Sequence, residues 1–406
     1  MPHSEHTQSL AEWFQRLAPA TPRLLPQDAD QAPTEQPSEH LCEDPAENPA
    51  EAPTQHPAEA PTQNLAAVGP PPARAARPSE SLLLSIARSA MACEFEVLLN
   101  QYQYPQGADR ALEALELVEQ LEARLSVYRP RSDLSLLNRF GSARPMPMSS
   151  DTLTLLQLAQ DISSWTAGAF DITAGKLSEV WGFSRRQGAV PSAAQIADAL
   201  QLVGSQLVQL DLEHSQARLL RAGVQTNPGG IGKGYALDRA AQHLAAAGIA
   251  DYMLHGGLSS VVARGQRQHP LTGGGWLVSL RHPWRLEQVL GTIRLRDAAL
   301  GTSGSGKQFF HFGGQRYSHI IDPRSGWPAQ GVLSATVICR SGAVADALAT
   351  ALFVMGQEAA QLFCSEHPQI GAILVVASER SASPRIETYN LTDDQWSLEQ
   401  SPTAVS

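Results

Sequence analysis

An aspartate and a threonine four residues apart, in "ADALAT" (residues 345–350), could bind a hard metal ion. On the helix that the surrounding apolar residues predict, Asp346 and Thr350 point to the same side. A carboxylate and a hydroxyl so placed suit Mg²⁺, which keeps part of its water and needs only one or two protein carboxylates. An Asp346 that caps a helix or pairs with a neighbouring strand is an equal alternative at this point.

A glycine-rich turn, "NPGGIGKG" (residues 227–234), precedes a second predicted helix and could bind an anion. Backbone amides left bare at a helix N-terminus favour negative charge, and Lys233 adds a mobile cation. The spacing is not the G-x-G-x-x-G of dinucleotide-binding folds. Because such turns are structural more often than functional, this turn alone identifies no ligand.

Residues 301–308, "GTSGSGKQ", look at first like a phosphate-binding P-loop. That motif needs a Ser or Thr directly after its lysine and a helix beyond it. Here Gln308 follows Lys307, and the next residues are "FFHF". The segment therefore does not predict a nucleotide triphosphatase.

Three further polar residues lie beside predicted turns. "YSHIIDPRSGWP" carries His319 to the end of a strand, where an imidazole could accept a proton near neutral pH. A surface histidine beside a turn is the commoner case. Asp171 follows the small residues of "TAGAFDIT", and Tyr128 precedes a proline-containing loop. Each of these signals is weak by itself.

The elements that must position these residues follow one another without a regular βαβ rhythm. Apolar spacing predicts helices at about 108–128, 151–166, 192–202, 235–248 and 343–355, the last ended by Gly356. Strands are expected at about 94–100, 252–263, 276–281, 290–296, 316–321, 333–339 and 372–377, with a hairpin over 206–222. This mixture favours the α+β class, with one folded domain at 81–395 and a flexible tail at 396–406.

The first 80 residues differ in composition from the rest. They hold 12 acidic and 4 basic residues, a net charge of −8, and "PAEAPTQH" recurs almost unchanged within residues 49–64. A segment so rich in Pro, Ala and Glu buries too little apolar surface to offset its conformational entropy. Residues 1–80 are therefore predicted to be a disordered acidic arm, with one short helix at 9–18.

Charge and cysteine usage exclude several classes of protein. With −10 on the whole chain and −8 on the arm, about −2 remains, and no basic stripe suits a nucleic acid. The four cysteines are too far apart for a zinc site or a disulfide framework. No run of 18 apolar residues and no signal peptide is recognised, so we expect no membrane span and a cytoplasmic location.

Seven segments, taken in order, resemble the motifs of the ApbE family of FAD:protein FMN transferases. They are Met91 with "FEV", "YRPRSDLSLLN", "GAFDIT", "NPGGIGKGYALD", "TSGSG", "YSHIIDPRSGWP" and "ADALATALFVMG". The resemblance runs from about residue 85 to 380, and seven motifs in the family's order are very hard to reach by chance. It also explains "GTSGSG", which matches the family's T-S-G loop between strands.

The resemblance implies Mg²⁺-dependent transfer of the FMN half of FAD to a Thr or Ser hydroxyl of an acceptor protein, with AMP leaving. A subunit of a redox-driven membrane complex is one candidate acceptor. The metal ligands would be Asp346, Thr350 and the Gly230 carbonyl. FAD would contact Met91, Tyr128, Ala169, Phe170, Asp171, Asn227, Lys233, His319 and Ile320. Lys233 would offset pyrophosphate charge and His319 would be the base, unless Mg²⁺ alone lowers the pKa of the hydroxyl.

The chain departs from the family pattern in ways that concern FAD binding. Asn227 and Pro228 replace the usual Asp-Leu before the glycine turn, and Leu258 replaces the acidic residue of "G-G-D". Cys93 and Glu94 replace small polar residues. None of these changes removes an implied metal ligand. Two alternatives stay open: an FAD pyrophosphatase, in which water replaces the hydroxyl, and a non-catalytic FAD-binding protein.

Overall fold

Antiparallel sheets and helices make up the part of the chain that the structure describes. The computed structural model describes residues 82–183, 188–269, 273–306, 308–377 and 384–399. Its helices are α1 (Gly107–Leu125), α2 (Asp133–Phe140), α3 (Ser150–Trp165), α4 (Gly175–Val180), α5 (Ala193–Leu200), α6 (Gly232–Ala246) and α7 (Gly342–Glu366). Its strands are β1 (Leu83–Ala90), β2 (Cys93–Asn100), β3 (Met146–Pro147), β4 (Val208–Asp211), β5 (Gln216–Leu219), β6 (Tyr252–Gly256), β7 (Ser260–Arg264), β8 (Trp276–Arg281), β9 (Val289–Leu295), β10 (Ala298–Gly304), β11 (Phe309–Phe312), β12 (Gln315–Ser318), β13 (Val332–Cys339), β14 (Gly371–Val376), β15 (Arg385–Tyr389) and β16 (Trp396–Leu398).

One large sheet organises the fold. Its eight strands run in the order β1-β2-β6-β7-β10-β13-β14-β15, and every neighbouring pair is antiparallel. Two of its inner strands, β13 and β14, are buried along their whole length. Apolar runs such as "VLSATVIC" and "GAILVV" are typical of strands covered on both faces.

The two faces of this sheet are covered by different elements. Val337 faces a core shared with helices α1, α3, α6 and α7, whereas the next residue, Ile338, faces the opposite core. Trp276 and Ile293, from the three-stranded sheet β16-β9-β8, close that second core. Side chains of successive strand residues point to opposite faces, so one sheet serves both cores. The predicted α+β class is confirmed.

Helix α7 continues beyond the predicted end at Gly356. Gly356 has φ of 80°, which interrupts the helical backbone, but helical residues follow as far as Glu366. The second part continues because Ala360, Phe363 and Cys364 are buried. Within the described ranges, α7 alone is long and apolar enough to cross a membrane by length and composition, and buried core helices meet the same test.

Two further predicted boundaries were wrong. The "TSG" residues were expected in a loop, but Thr302–Gly304 continue β10, which pairs with β13 through Gly304 and Ser334. The flexible tail was expected from residue 396, but β16 pairs with β9 because Trp396 packs on the second core. The predicted arm at 1–80, its helix at 9–18 and the motif residue Lys307 lie outside the described residues.

Candidate active site

Asp346 lies on the first part of α7 and receives two hydrogen bonds from other elements. The backbone N–H of Gly234, in the first turn of α6, donates to Asp346 Oδ2 at 2.7 Å. The Ser260 hydroxyl, at the start of β7, donates to Oδ1 at 2.7 Å. The anion that the glycine turn binds among the described residues is therefore the carboxylate of Asp346.

The carboxylate of Asp346 is buried, and this burial raises its pKa because the charged form loses its hydration. Lys233 Nζ lies 3.9 Å from Oδ2 and acts in the opposite direction, as do the two hydrogen bonds. Burial is the largest of these effects. The site therefore leaves a negative charge only partly compensated, which is the condition under which a bound cation stabilises a protein.

Thr350 lies one turn beyond Asp346 on the same helix. Its Oγ1 is 2.8 Å from the Ser303 hydroxyl on β10. A Cβ placed on Gly230 would lie 3.3 Å from the same Oγ1 and 3.2 Å from the Phe170 ring. The turn before α6 therefore packs directly against Thr350, so Gly230, Asp346 and Thr350 lie in one region of the structure.

The close approach of α6, α7 and β10 depends on glycines. A Cβ on Gly234 would lie 2.0 Å from the Gly342 carbonyl oxygen, and one on Gly301 would lie 2.4 Å from the Ala345 carbonyl carbon. Asp238 then fixes the pair of helices, because its carboxylate accepts from the Gly342 and Ala343 amides at the start of α7. These contacts place the Gly234 amide within reach of Asp346.

The predicted donor set is of the chemical kind that magnesium prefers. It consists of one carboxylate, one hydroxyl and one carbonyl, all hard oxygens, and each oxygen of Asp346 accepts one protein hydrogen bond and keeps a lone pair. Groups of three or more His, Cys, Asp or Glu side chains arranged for a metal are absent from the described residues. That finding does not bear on a site with a single carboxylate.

Met91 lies in the two-residue turn of the β1–β2 hairpin. Met91 and Ala92 have φ of 49° and 59°, as a type I′ turn requires, although neither is glycine. Gly257, in the turn between β6 and β7, lies beside Cys93 and donates to the Glu94 carbonyl. The predicted FAD contact Met91 is therefore at the same end of the sheet as Ser260, the first residue of β7.

The "AFD" residues are buried beside the glycine turn. Asp171 accepts from the Thr173 amide and hydroxyl through Oδ1, and from the Ser163 hydroxyl and Ser205 amide through Oδ2. Its carboxylate therefore holds the surrounding loops together. Ala169 is buried as well. Asp171 also borders a cavity of about 440 Å³, whose lining does not include Asp346 or Thr350.

Asn227, which replaces the usual aspartate, makes hydrogen bonds at the start of the glycine turn. Its side-chain Oδ1 accepts from the Gly229 backbone N–H at 2.9 Å. The backbone N–H of Asn227 donates to the Ile172 carbonyl at 2.7 Å. The glycine turn is therefore organised without the negative charge. Tyr128 is 82% exposed on the loop between α1 and α2.

His319 follows β12, where its ring lies beside that of Phe183 and its amide and ring bind the carbonyl of Gln308. Its amide donates to the Gln308 carbonyl, and its ring Nδ1 lies 3.1 Å from the same oxygen. Because a carbonyl can only accept, Nδ1 carries the hydrogen and Nε2 of the neutral ring is left as an acceptor. Burial lowers the pKa of His319, so the ring is neutral at pH 7. Ile320, next in the chain, is buried.

The predicted residues fall into one connected group and several separate ones. Phe170, Gly230, Lys233, Asp346 and Thr350 are linked by the contacts above. Among the described residues, Met91, Tyr128 and His319 make no hydrogen bond or ion pair to that group. Sequence reasoning missed Ser260 and Ser303. Ser303 lies in the quoted "TSG" motif, which gave a signal, whereas nothing in the sequence around Ser260 indicates its partner.

Comparison with known proteins agrees with the fold and the motifs. The ApbE family model matches residues 91–374. An FAD:protein FMN transferase from Vibrio cholerae is 32% identical over 268 residues, which are 65% of this chain and 78% of that protein. One from Haemophilus influenzae is 28% identical over 315 residues, 75% of this chain and 90% of the relative.

Solved structures show the same likeness. The ApbE protein of Thermotoga maritima superposes with a TM-score of 0.67 at 28% identity, over 76% of this chain and 97% of the other. The flavin transferase ApbE of Vibrio cholerae gives 0.65 at 27% identity, over 76% and 96%. Fold, site and relatives together define a transferase. The chain belongs to the ApbE family.

Proposed function

We propose that this chain is a Mg²⁺-dependent FAD:protein FMN transferase. The observation that carries the proposal is the meeting of Asp346, Thr350 and Gly230 at the N-terminus of α6, with Lys233 Nζ 3.9 Å from the carboxylate. The names of its relatives supply the substrate class. The acceptor would be a Thr or Ser of another protein, with a subunit of a redox-driven membrane complex as one candidate.

The reaction exchanges one phosphorus–oxygen bond for another. The acceptor hydroxyl oxygen forms a bond to the phosphorus of the FMN half while the bond from that phosphorus to the AMP oxygen breaks, and AMP leaves with the bonding electrons. A cation held by Asp346, Thr350 and the Gly230 carbonyl would polarise the diphosphate and offset its charge. Lys233 would contribute a second positive charge at the same place.

His319 would accept the proton of the acceptor hydroxyl. Its neutral ring has Nε2 available, since Nδ1 is bound to the Gln308 carbonyl. Burial lowers the pKa of His319 and so keeps the ring unprotonated at pH 7. A general base needs its acceptor nitrogen free at the working pH.

The test supplies FAD, MgCl₂ and an acceptor protein of the Vibrio cholerae relative, and measures intact mass together with released nucleotide. We expect one FMN added per acceptor and one AMP released per adduct. FMN and AMP formed without acceptor would instead identify a pyrophosphatase. FAD that stays bound and unchanged in MgCl₂ would identify a flavin-binding protein. Either result would refute the transfer reaction.

A further inference from the structure

Five residues form an exposed surface that combines positive charge with aromatic rings. They are Arg281, Trp284, Arg285, Phe309 and Arg316, and we call them the arginine–aromatic surface. Trp284 is 52% exposed and Phe309 is 43% exposed. Arg281 and Arg285 are exposed as well, and Arg316 is half-buried between the rings. Large aromatic side chains beside arginine are the residues enriched in protein–protein contacts.

The fold holds this surface in one arrangement. Arg316 Cζ lies 3.9 Å from the centre of the Phe309 ring and 5.0 Å from that of Trp284. Its Nη2 donates to the Ser305 carbonyl at 2.6 Å. His282 Nδ1 accepts from the Trp284 amide at 3.1 Å, which shapes the turn that follows β8. A partner would therefore meet a surface that is already ordered.

The arginines of the surface are not paired directly with a carboxylate of the described residues, although Glu287 lies in the same turn and acts on His282. Arg281, Arg285 and Arg316 form no ion pair with any carboxylate there, whereas Arg124 and Arg324 each pair with an aspartate. Arg281 donates to a backbone carbonyl instead, that of Leu286. Nε of Arg316 is buried and has no hydrogen-bond partner in the same part of the chain. Arginines left unpaired beside aromatic rings are suited to carboxylates of a partner.

The surface adjoins the proposed site along the chain. Ser305, which accepts from Arg316, is two residues beyond Ser303, whose hydroxyl contacts Thr350. Two residues of extended chain span roughly 7 Å. His319 follows Arg316 by three residues. A protein bound at the surface would therefore place neighbouring segments close to the oxygens that would hold the metal.

We propose that the arginine–aromatic surface docks the acceptor protein through an acidic segment of that protein. This inference rests on the proposed function and names where the second substrate binds. A polyanion such as a nucleic acid fits less well, because the chain after residue 80 has a net charge of about −2 and the positive group has only three arginines. Carboxylates on a folded partner match three charges and two rings.

The test compares charge reversal on the arginine–aromatic surface with charge reversal at exposed arginines on another part of the protein. R281E/R285E changes the proposed surface, and R144E/R218E makes the same change in net charge at exposed arginines around the small sheet of β3, β4 and β5. The probe is the acceptor protein of the Vibrio cholerae relative. Binding is measured by calorimetry without FAD, and transfer is measured by varying acceptor and FAD separately.

We expect R281E/R285E to weaken acceptor binding and raise the acceptor KM at least tenfold, with kcat and the FAD KM within twofold of wild type. W284A should weaken binding in the same direction, and R144E/R218E should not. Acceptor binding that is unchanged in R281E/R285E, or absent in the wild-type chain, overturns the docking proposal. Self-association that R281E/R285E abolishes would also overturn it, by assigning the surface to a second copy.

Separate measurements of acceptor binding and FMN transfer distinguish failure of the docking proposal from failure of the proposed transfer reaction. Wild-type chain that binds acceptor but forms no FMN adduct would refute the transfer reaction while R281E/R285E still decides the docking surface. Wild-type chain that forms the adduct while the two double variants bind equally well would refute the docking surface alone.

Discussion

Replacing Asp346 with Asn should separate the stability of the protein from its activity. The amide has the shape of the carboxylate, and its oxygen can accept from the Gly234 amide while its NH₂ donates to the Ser260 hydroxyl, which can reverse its role. Both hydrogen bonds are therefore kept. What D346N removes is the buried negative charge.

The expected gain in stability follows from two opposing effects. Desolvation of a buried carboxylate costs several kcal/mol. Attraction to Lys233 at 3.9 Å returns about 1 kcal/mol, because the lysine side chain is 24% exposed and screened. Without metal at pH 7, the free energy of unfolding of D346N should therefore be about 1–3 kcal/mol higher than that of wild type. This difference corresponds to a rise in Tm of about 2–6 °C.

The stability difference between D346N and wild type should depend on pH in a direction set by the pKa shift of Asp346. Burial raises the folded-state pKa of Asp346, so the folded protein binds this proton more tightly than the unfolded chain does. The proton bound to Asp346 therefore stabilises the folded wild type at low pH. This stabilisation is lost as pH rises through the folded-state pKa of Asp346. The advantage of D346N should grow as pH rises through the folded-state pKa of Asp346 and should shrink as pH is lowered toward about 4.

Thermal unfolding in EDTA and in MgCl₂ measures both consequences. Mg²⁺ should raise the Tm of wild type and leave that of D346N unchanged, and transfer by D346N should fall at least about 100-fold, the equivalent of about 3 kcal/mol of lost metal assistance. D198N, at an exposed position on α5, controls for the loss of one charge. The reasoning is refuted if D346N is less stable than wild type without metal, or keeps a tenth of the activity.

Three further expectations concern Ser260, Gly234 and His319. S260A removes the hydrogen-bond donor to Asp346 Oδ1 and should therefore weaken Mg²⁺ binding about tenfold in calorimetry. S259A is the control, and equal Mg²⁺ affinities of S260A and wild type would contradict the expectation. G234A should lower the free energy of unfolding by more than about 3 kcal/mol in denaturant titration, because its Cβ would meet the Gly342 oxygen at 2.0 Å; a smaller loss would show that the helices can separate. Burial lowers the pKa of His319, so transfer should decline only below pH 6.5, and H319Q should lose that decline; a midpoint above 6.5 would exclude His319 as the base.

Local patterns in the sequence were sufficient for part of the site. The four-residue spacing placed Asp346 and Thr350 on one side of a helix, and the glycines before α6 indicated an anion at that N-terminus. Both inferences need only the geometry of one helix. The family motifs added Gly230, which lies against Thr350 in the structure.

Contacts between distant segments were not predictable in the same way. Ser260 reaches Asp346 across 86 residues of sequence, and only the pairing of β7 with β10 brings it there. Strand β10 itself was missed because Gly301 and Gly304 lower the apparent strand propensity, although close packing against α7 requires the first of them. Tertiary packing overrides local preference at such positions.

The interruption of α7 at Gly356 offers a practical route to observing this protein at work. Leu362 lies beyond the break and is 61% exposed, so a fluorescent label attached there would not displace packed atoms. Two helical segments of about six residues each, joined at the interruption, place it at most roughly 20 Å from Thr350. At that separation a dye could report the arrival of a flavin chromophore by energy transfer without touching the residues under study.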